Sequence, residues 1–361
     1  LQPDRTDILT VGFARRFATY KRATLLFTDP DRLARLLNQD GRPVLFLFAG
    51  KAHPNDEPGQ HLIKVIHEFS RRPEFEGKVI MLEGYDVALA RKLVTGVDVW
   101  LNTPEYPKEA SGTSGQKAGI NGGLNLSVAD GWWGEGYNGA NGWTISPHDP
   151  EMGADYRNRE EATELYELLE NQVVPLYFDR NGHGYSSGWV AMSKEAIKSQ
   201  MPRFNAQRMV MDYVRGYYGP ACRQQRRLLR EDGQAAGELA AWKRQVAKAW
   251  PQVAMERVDD HQAEIESGGT LPITVAAELG GLSPEDVRVE CLVGVDNDYG
   301  EFTVKERHGL TPREESDKQG RALFHIDLEP SLPGLQVYKL RMVPYHPDQA
   351  HLHETGRMIW L

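Results

Sequence analysis

Four apolar runs separated by helical spacing fill the first hundred residues and restrict what this chain can fold into. "DILTVGF" (7–13), "PVLFLFAGKA" (43–52), "GKVIMLEGY" (77–85) and "VDVWLN" (97–102) are apolar nearly throughout instead of alternating. A strand with two apolar faces needs cover on both. The segments between supply that cover: "ATLLFTDPDRLARLLNQ" (23–39), "EPGQHLIKVIHEFSRR" (57–72) and "DVALARKLVTG" (86–96) have helical spacing. Strands alternating with helices of this length predict a parallel sheet covered on both sides. The expected class is α/β, a Rossmann-like parallel lobe.

Beyond it, "EEATELYELLENQVVPLYF" (160–178) and the long stretch 187–231 read as helices, and a charged, alanine-rich helix covers about Gly233 to Trp250. From Pro251 the texture changes. "LPITVAAEL", "VRVECLVGV", "GEFTVKERHGL", "RALFHIDLE", "LQVYKLRMVPYH" and "GRMIWL" are short, partly alternating runs between turn residues. Their spacing predicts a small antiparallel β-sandwich. The expected division is a Rossmann-like lobe over 1–220, a helical connector over 221–250 and a β-sandwich accessory domain over 251–361.

A length of 361 residues suits two or three domains at roughly 150 residues each. The net charge of −9 argues against general nucleic-acid binding, which leaves a basic footprint. Cys222 and Cys291 lie far apart and match neither a metal spacing nor a disulfide framework, so no metal is expected. No apolar run of about 18 residues and no signal-peptide pattern is present. A soluble, cytoplasmic setting is the expectation, with no membrane partner. The chain opens "LQPDRTDILTVGF", without an initiating methionine and with a strand pattern in its first ten residues. That predicts the interior of a longer protein.

Several clusters could carry chemistry. "ARRFATYKR" places Arg15, Arg16, Lys21 and Arg22 in the loop after the first strand, where cations suit a phosphate or a solvated surface. "KEASGTSGQKAGINGG" (108–123) holds five glycines after the fourth strand, at the edge where open α/β sheets bind ligands. A helix interior is not expected there, because each glycine costs about 1 kcal/mol relative to alanine. Bare backbone with the Thr113 and Ser114 hydroxyls suits an anion, and Lys117 suits a plain charge or an amine for an aldehyde cofactor. A tight connection needing positive φ explains the composition equally well. The run is not a Walker loop, since it lacks G-x-x-x-x-G-K-[ST]. "EGYDVALA" sets Glu83, Tyr85 and Asp86 at a strand end, where an aromatic more often packs than stacks on a ligand. "ADGWWGEGYNGANGW" (129–143) reads as a sugar-binding surface or a domain-interface cap, and His53 receives no catalytic role.

Taken in order, "RRFATYKR", "FAGKAHP", "EGYDVALA" and "EASGTSGQKAGINGG" resemble the carboxyl-terminal half of α-glucan (glycogen/maltodextrin) phosphorylases over about the first 145 residues. "GKAHPND", "DGWWGEGYNG" and the β-rich tail resemble the bacterial branch. The resemblance implies two facing Rossmann-like lobes, the glycosyltransferase B arrangement, with this chain as the second lobe. It implies that Lys117 forms an imine with pyridoxal 5′-phosphate, and that Thr113, Ser114 and Arg15 surround the cofactor phosphate. Tyr85 would lie near the cofactor, Arg16 and Lys21 would hold inorganic phosphate, and Glu109, Ser111 and Gly112 would bind the transferred glucose. The family has Gly-Asn-Met before its lysine where this chain has Ser114, Gly115 and Gln116.

The implied reaction is phosphorolysis of α-1,4-glucan to glucose 1-phosphate with retention, the cofactor phosphate shuttling a proton. Its partners are α-glucan, inorganic phosphate and the missing amino-terminal lobe; self-association stays open. The isolated chain is expected to fold without useful turnover. Two alternatives remain: a retaining nucleotide-sugar glycosyltransferase of the glycogen or starch synthase type, which needs no imine lysine, and a non-catalytic glucan-binding module.

Overall fold

The computed structural model describes residues 7–259, 269–296, 302–329, 331 and 336–361. The chain forms two compact units, Leu1–Met209 and Val210–Leu361.

In the first unit the chain runs β1 (Leu9–Ala14), α1 (Pro30–Leu37), β2 (Val44–Ala49), α2 (Glu57–Ser70), β3 (Val79–Leu82), α3 (Val87–Gly96) and β4 (Val99–Asn102). It continues through α4 (Ser114–Ile120), β5 (Leu124–Val128), α5 (Trp132–Gly136), β6 (Gly142–Ile145), α6 (Ala154–Leu168), α7 (Val174–Phe178) and α8 (Ser187–Gln200), and α9 (Ala206–Tyr213) runs across the boundary into the second unit. All six strands pair in parallel, in the order β3-β2-β1-β4-β5-β6. The chain starts mid-sheet, winds out to β3 and returns to β4 beside β1. That reversal opens a crevice at the carboxyl ends of β1 and β4, where doubly wound sheets bind ligands.

The expected alternation of strands and helices is present, and the capping chemistry shows why each helix starts where it does. Asp29, Asp56 and Asp86 accept backbone N–H groups of Arg32, Gly59 and Leu89 at 2.9, 3.0 and 2.7 Å, opening α1, α2 and α3. Asp86 therefore serves as a helix cap. The apolar faces of β1, β2, β4, β5 and β6 share one cluster with α1, α6 and α8, including Phe13, Phe46, Leu101, Leu126, Leu165 and Ala196. A second cluster on the other face joins Ala14, Ala49, Trp100 and Ala118 with Leu93 and Val94 of α3. Covered faces on both sides explain the uninterrupted apolar runs.

Two expectations about the glycine-rich segments need correction. Ser114–Ile120 is helical, with Gly115 and Gly119 inside the helix. The glycines are there for contact: a Cβ on Gly115 would lie 2.4 Å from Asn125 Oδ1 and 2.9 Å from the Trp132 ring. On Gly119 it would lie 1.7 Å from Gln200 Oε1. Close packing outweighs the propensity cost. The left-handed positions fall beside the helix, at Gly112 (φ +79°) and Gly122 (φ +90°). Second, "ADGWWGEGYNGANGW" presents no tryptophan surface. Trp132, Trp133 and Trp143 are 4%, 0% and 4% exposed, because this segment forms α5 and β6 against the sheet.

In the second unit, α10 (Gly219–Leu228) and α11 (Gln234–Ala249) precede β7 (Ala254–Arg257), β8 (Leu271–Glu278), β9 (Val287–Asp296), β10 (Phe302–Ser316), β11 (Ala322–Leu328), β12 (Val337–Pro344) and β13 (Ile359–Trp360). These strands form one antiparallel order, β13-β12-β9-β10-β11-β8-β7. The long β10 links its two parts, pairing with β9 over Phe302–Leu310 and with β11 from Thr311 onward. Register shifts between Val304 and Glu306 and between Pro312 and Ser316 bend it. Inward residues of both parts, among them Val275, Phe324, Val289 and Met342, meet Leu239, Trp242 and Val246 of α11 in a single core. The expected antiparallel unit is thus one ladder turned on itself. Gly300, Glu301 and Leu335 of the expected strands lie outside the described residues.

Candidate functional site

At the end of β1 the backbone turns out of the sheet, with Arg15 N–H bonded to Ala49 O at 3.1 Å and Phe17 N–H to Lys51 O at 3.0 Å. This sets four successive cations on different courses. Arg15 folds back over the sheet edge, where its guanidinium donates to Asn102 Oδ1 and, at 3.3 Å, to Leu101 O at the end of β4. Its Nε is buried without a partner. Burial pulls Arg15 down to about 10, against the attraction of Glu109, Tyr85 and Tyr20, so it stays cationic at neutral pH. Arg16 is exposed, with no ion pair among the described residues.

Lys21 pairs with Glu109, the two side chains 12% and 6% exposed, and its ammonium lies 4.8 Å from the Tyr20 ring centroid. Arg22 departs from the expected cationic surface. It occupies the left-handed region (φ +47°) and is buried, donating to Thr103 O at 2.9 Å, Pro104 O at 2.8 Å and Asn158 Oδ1 at 3.0 Å, and pairing with Glu161. Its charge is used inside the fold.

The loop after β4 brings Glu109 to Lys21. Glu105 N–H donates to Tyr20 O at 2.7 Å, tying this loop to the β1 loop. Gly112 closes the turn, and a Cβ there would lie 2.9 Å from Glu109 Oε1. Ser111 and Thr113 are exposed. Ser114 Oγ accepts the Trp100 indole N–H at 3.2 Å, which leaves its own proton to donate elsewhere. On α4, Lys117 is exposed and its Nζ meets Thr113 Oγ1 at 3.2 Å. Tyr85 is half-buried against the Trp100 cluster; desolvation raises its phenol, opposed by Arg15.

The residues singled out from sequence thus gather on the β1, β3 and β4 ends. Arg15 is close enough to Glu109 to feel its charge, Tyr85 lies beside Arg15, and Lys21 touches Glu109. Among the described residues, no hydrogen bond or ion pair joins Lys117 to Arg15, Arg16 or Lys21. His53 accepts Asn55 N–H at 3.1 Å and shapes a turn. Sequence reasoning missed Asn102, which orients Arg15 and donates to Ser127 Oγ at 3.1 Å. It also missed Asp130, whose carboxylate accepts Glu109 N–H at 2.9 Å. The polar end of "VDVWLN" and the Asp-Gly pair in "ADGWW" were the available signals.

A groove of about 460 Å³ beside this region is lined by Gly50, Gln60, Lys64, His67, Glu83 and Gly84. A larger one, about 660 Å³, includes Arg42, Trp143, Phe178 and Asp179 and lies toward the amino ends of β2 and β6, away from these side chains. The chemical arrangement, rather than cavity size, marks the site. It offers the held cations Arg15 and Lys21, hydroxyl donors and the Glu109 carboxylate, suited to anions beside a polyhydroxyl ligand.

Comparison with known proteins agrees in register. Residues 6–133 match the carbohydrate phosphorylase family, and residues 250–361 match the glycogen phosphorylase C-terminal domain. The maltodextrin phosphorylase of Thermococcus litoralis is 42% identical over 98% of this chain and 41% of its own length. The glycogen phosphorylase of Mycobacterium tuberculosis H37Rv is 40% identical over 97% of this chain and 41% of its own. That of Aquifex aeolicus is 50% identical over 63% of this chain and 32% of its own. The chain therefore spans about two fifths of the length of the first two.

Proposed function

Because the chain belongs to the α-glucan (glycogen/maltodextrin) phosphorylase family, we propose that it supplies the carboxyl-terminal half of an enzyme that phosphorolyses α-1,4-glucan to glucose 1-phosphate with retention. The observation that carries this reading is the buried contact of Lys21 with Glu109, beside Arg15 at the β1–β4 crevice. It sets an anion-binding cation against a sugar-binding carboxylate. In this reading the doubly wound sheet is the second lobe of a glycosyltransferase B arrangement. The first compact unit, Leu1–Met209, is that lobe, and the second, Val210–Leu361, with α11 in its core, is an accessory unit. The setting is cytoplasmic, and the partners are glucan, phosphate and the opposing lobe.

The residues present fit pyridoxal 5′-phosphate. Arg15 has only neutral hydrogen-bond acceptors and an orphaned buried Nε, a cation suited to a phosphate. Ser114 has a proton to donate, Thr113 adds a hydroxyl, Tyr85 flanks Arg15, and Lys117 is the amine that would hold the group. Bound there, the cofactor supplies a phosphate able to exchange a proton with the substrate phosphate.

Arg16 and Lys21 hold inorganic phosphate and orient it toward the glycosidic oxygen and the anomeric carbon on one face of the sugar. Two phosphates in such proximity repel by about 4 kcal/mol per pair of unit charges at an effective dielectric near 20. Arg15, Arg16 and Lys21 offset that repulsion and hold the phosphate anion where its negative charge stabilises the positive charge developing on the sugar. Glu109, Ser111 and Gly112 take the glucose hydroxyls and the backbone contacts to the sugar.

The test is chemical. Incubation with pyridoxal phosphate, borohydride reduction and peptide mapping should place the label on Lys117. A label on Lys51 or Lys108 would overturn the cofactor assignment.

A further inference from the structure

We propose that Asp130 is a positioning residue for the sugar-binding loop: it holds the Glu109 backbone, and through it the Glu109 carboxylate, at Lys21. This rests on the phosphorylase reading above. Asp130 follows β5 and is 6% exposed. A buried carboxylate normally has a cation beside it. Asp130 has no ion pair among the described residues; its two oxygens accept backbone N–H groups instead. Oδ2 takes Glu109 N–H at 2.9 Å and Oδ1 takes Gly131 N–H at 2.8 Å.

The neighbouring residues complete a clamp. Trp132 N–H donates to Ser111 O at 3.0 Å. Gly131 lies at φ +54°, and a Cβ there would stand 2.5 Å from Ser111 O and 2.8 Å from Glu109 O. Only a bare backbone allows this approach. Glu109 is thus held at its N–H by Asp130 and at its carboxylate by Lys21. An asparagine could present an acceptor to one of the two N–H groups only, since its amide nitrogen would face the other. The ionised form of Asp130 is the one that satisfies both.

Asp130→Asn and Asp130→Ala in the 361-residue chain, followed by amide hydrogen exchange, test the clamp. Loss of bonds to a charged acceptor should speed exchange at Glu109 by about tenfold in the asparagine variant and about a hundredfold in the alanine variant. Amides of β4 and β5 should not change. In a full-length phosphorylase carrying this sequence, Asp130→Asn should raise KM for maltodextrin by about tenfold, with a smaller effect on kcat and unchanged pyridoxal phosphate content. The asparagine variant carries the test if the alanine variant does not fold. Unchanged Glu109 exchange would overturn the clamp. Faster exchange with unchanged glucan kinetics would overturn the positioning role. Absence of phosphorolysis in the unaltered full-length protein would instead remove the functional reading and the sugar role with it, while the exchange result still judges the clamp.

Discussion

Arg16, Lys21 and Arg22 look equivalent in "RRFATYKR", yet the structure separates them by their partners. Arg16 is exposed, Lys21 meets Glu109, and Arg22 is consumed by Glu161 and three neutral acceptors. Their substitutions should therefore fail in different ways. In a full-length phosphorylase, Arg16→Ala or Lys21→Ala should lower kcat/KM for phosphate by about 2–5 kcal/mol while cofactor content holds. Phosphate kinetics indifferent to both changes would leave Arg16 a solvated surface cation and Lys21 only a structural partner of Glu109. Arg22→Ala should instead destabilise the fold by about 3–5 kcal/mol, because buried Glu161 would lose its guanidinium and keep, among the described residues, only the His148 backbone N–H at 3.3 Å and the His148 ring at 3.8 Å. Denaturant midpoints distinguish the two classes. The sequence displayed the cations but not their destinations, since the left-handed turn at Arg22 decides which one faces inward.

At the scale of elements, α4 and the β1–β4 junction place the site. Gly115→Ala gains helix propensity of about 1 kcal/mol, yet its Cβ would meet buried Asn125 and Trp132. Overpacking of that kind costs about 1–3 kcal/mol, so a net loss is expected in equilibrium unfolding; a more stable variant would show that α4 has room to move. Between β1 and β4, Asp98 accepts Thr10 N–H at 2.8 Å and Thr10 Oγ1 at 2.6 Å, while Asp98 N–H bonds back to Thr10 Oγ1 at 3.0 Å. Burial raises the Asp98 carboxyl above its ordinary value, outweighing the Thr10 bonds that lower it. The folded chain therefore holds this proton more tightly than the unfolded chain. Its linkage contribution favours folding at acid pH and is lost as pH rises from the usual carboxylate range through the folded value. Asp98→Asn should remove that component from stability measured against pH, and an identical profile would contradict it. The strands and helices were legible because periodicity reports burial. The helical state of Ser114–Ile120 was not, because its glycines answer to Asn125, Trp132 and Gln200, all of them outside the helix.

For the molecule as a whole, each compact unit has its own apolar core, one built on the parallel sheet and one on the antiparallel sheet with α11. We predict that the 361-residue chain folds but releases little glucose 1-phosphate from maltodextrin and phosphate. Alignment of reactants contributes roughly 7–11 kcal/mol to such a barrier, and one wall of a cleft secures only part of it. A full-length protein carrying the sequence should be active in the same assay. Turnover by the purified chain matching that of the full-length protein would show that the second wall is dispensable.

What the sequence determined alone was the parallel α/β class, the antiparallel tail and the residue types at the strand ends. Continuous apolar runs admit few covers, and the motif register fixes which cations and hydroxyls follow which strand. Tertiary structure decided the rest. It turned Arg22 inward, buried the tryptophans of α5 and β6, and set the Asp130 carboxylate under Glu109. Those outcomes depend on contacts between residues up to 139 positions apart, and local pattern carries no information about which distant partner will arrive.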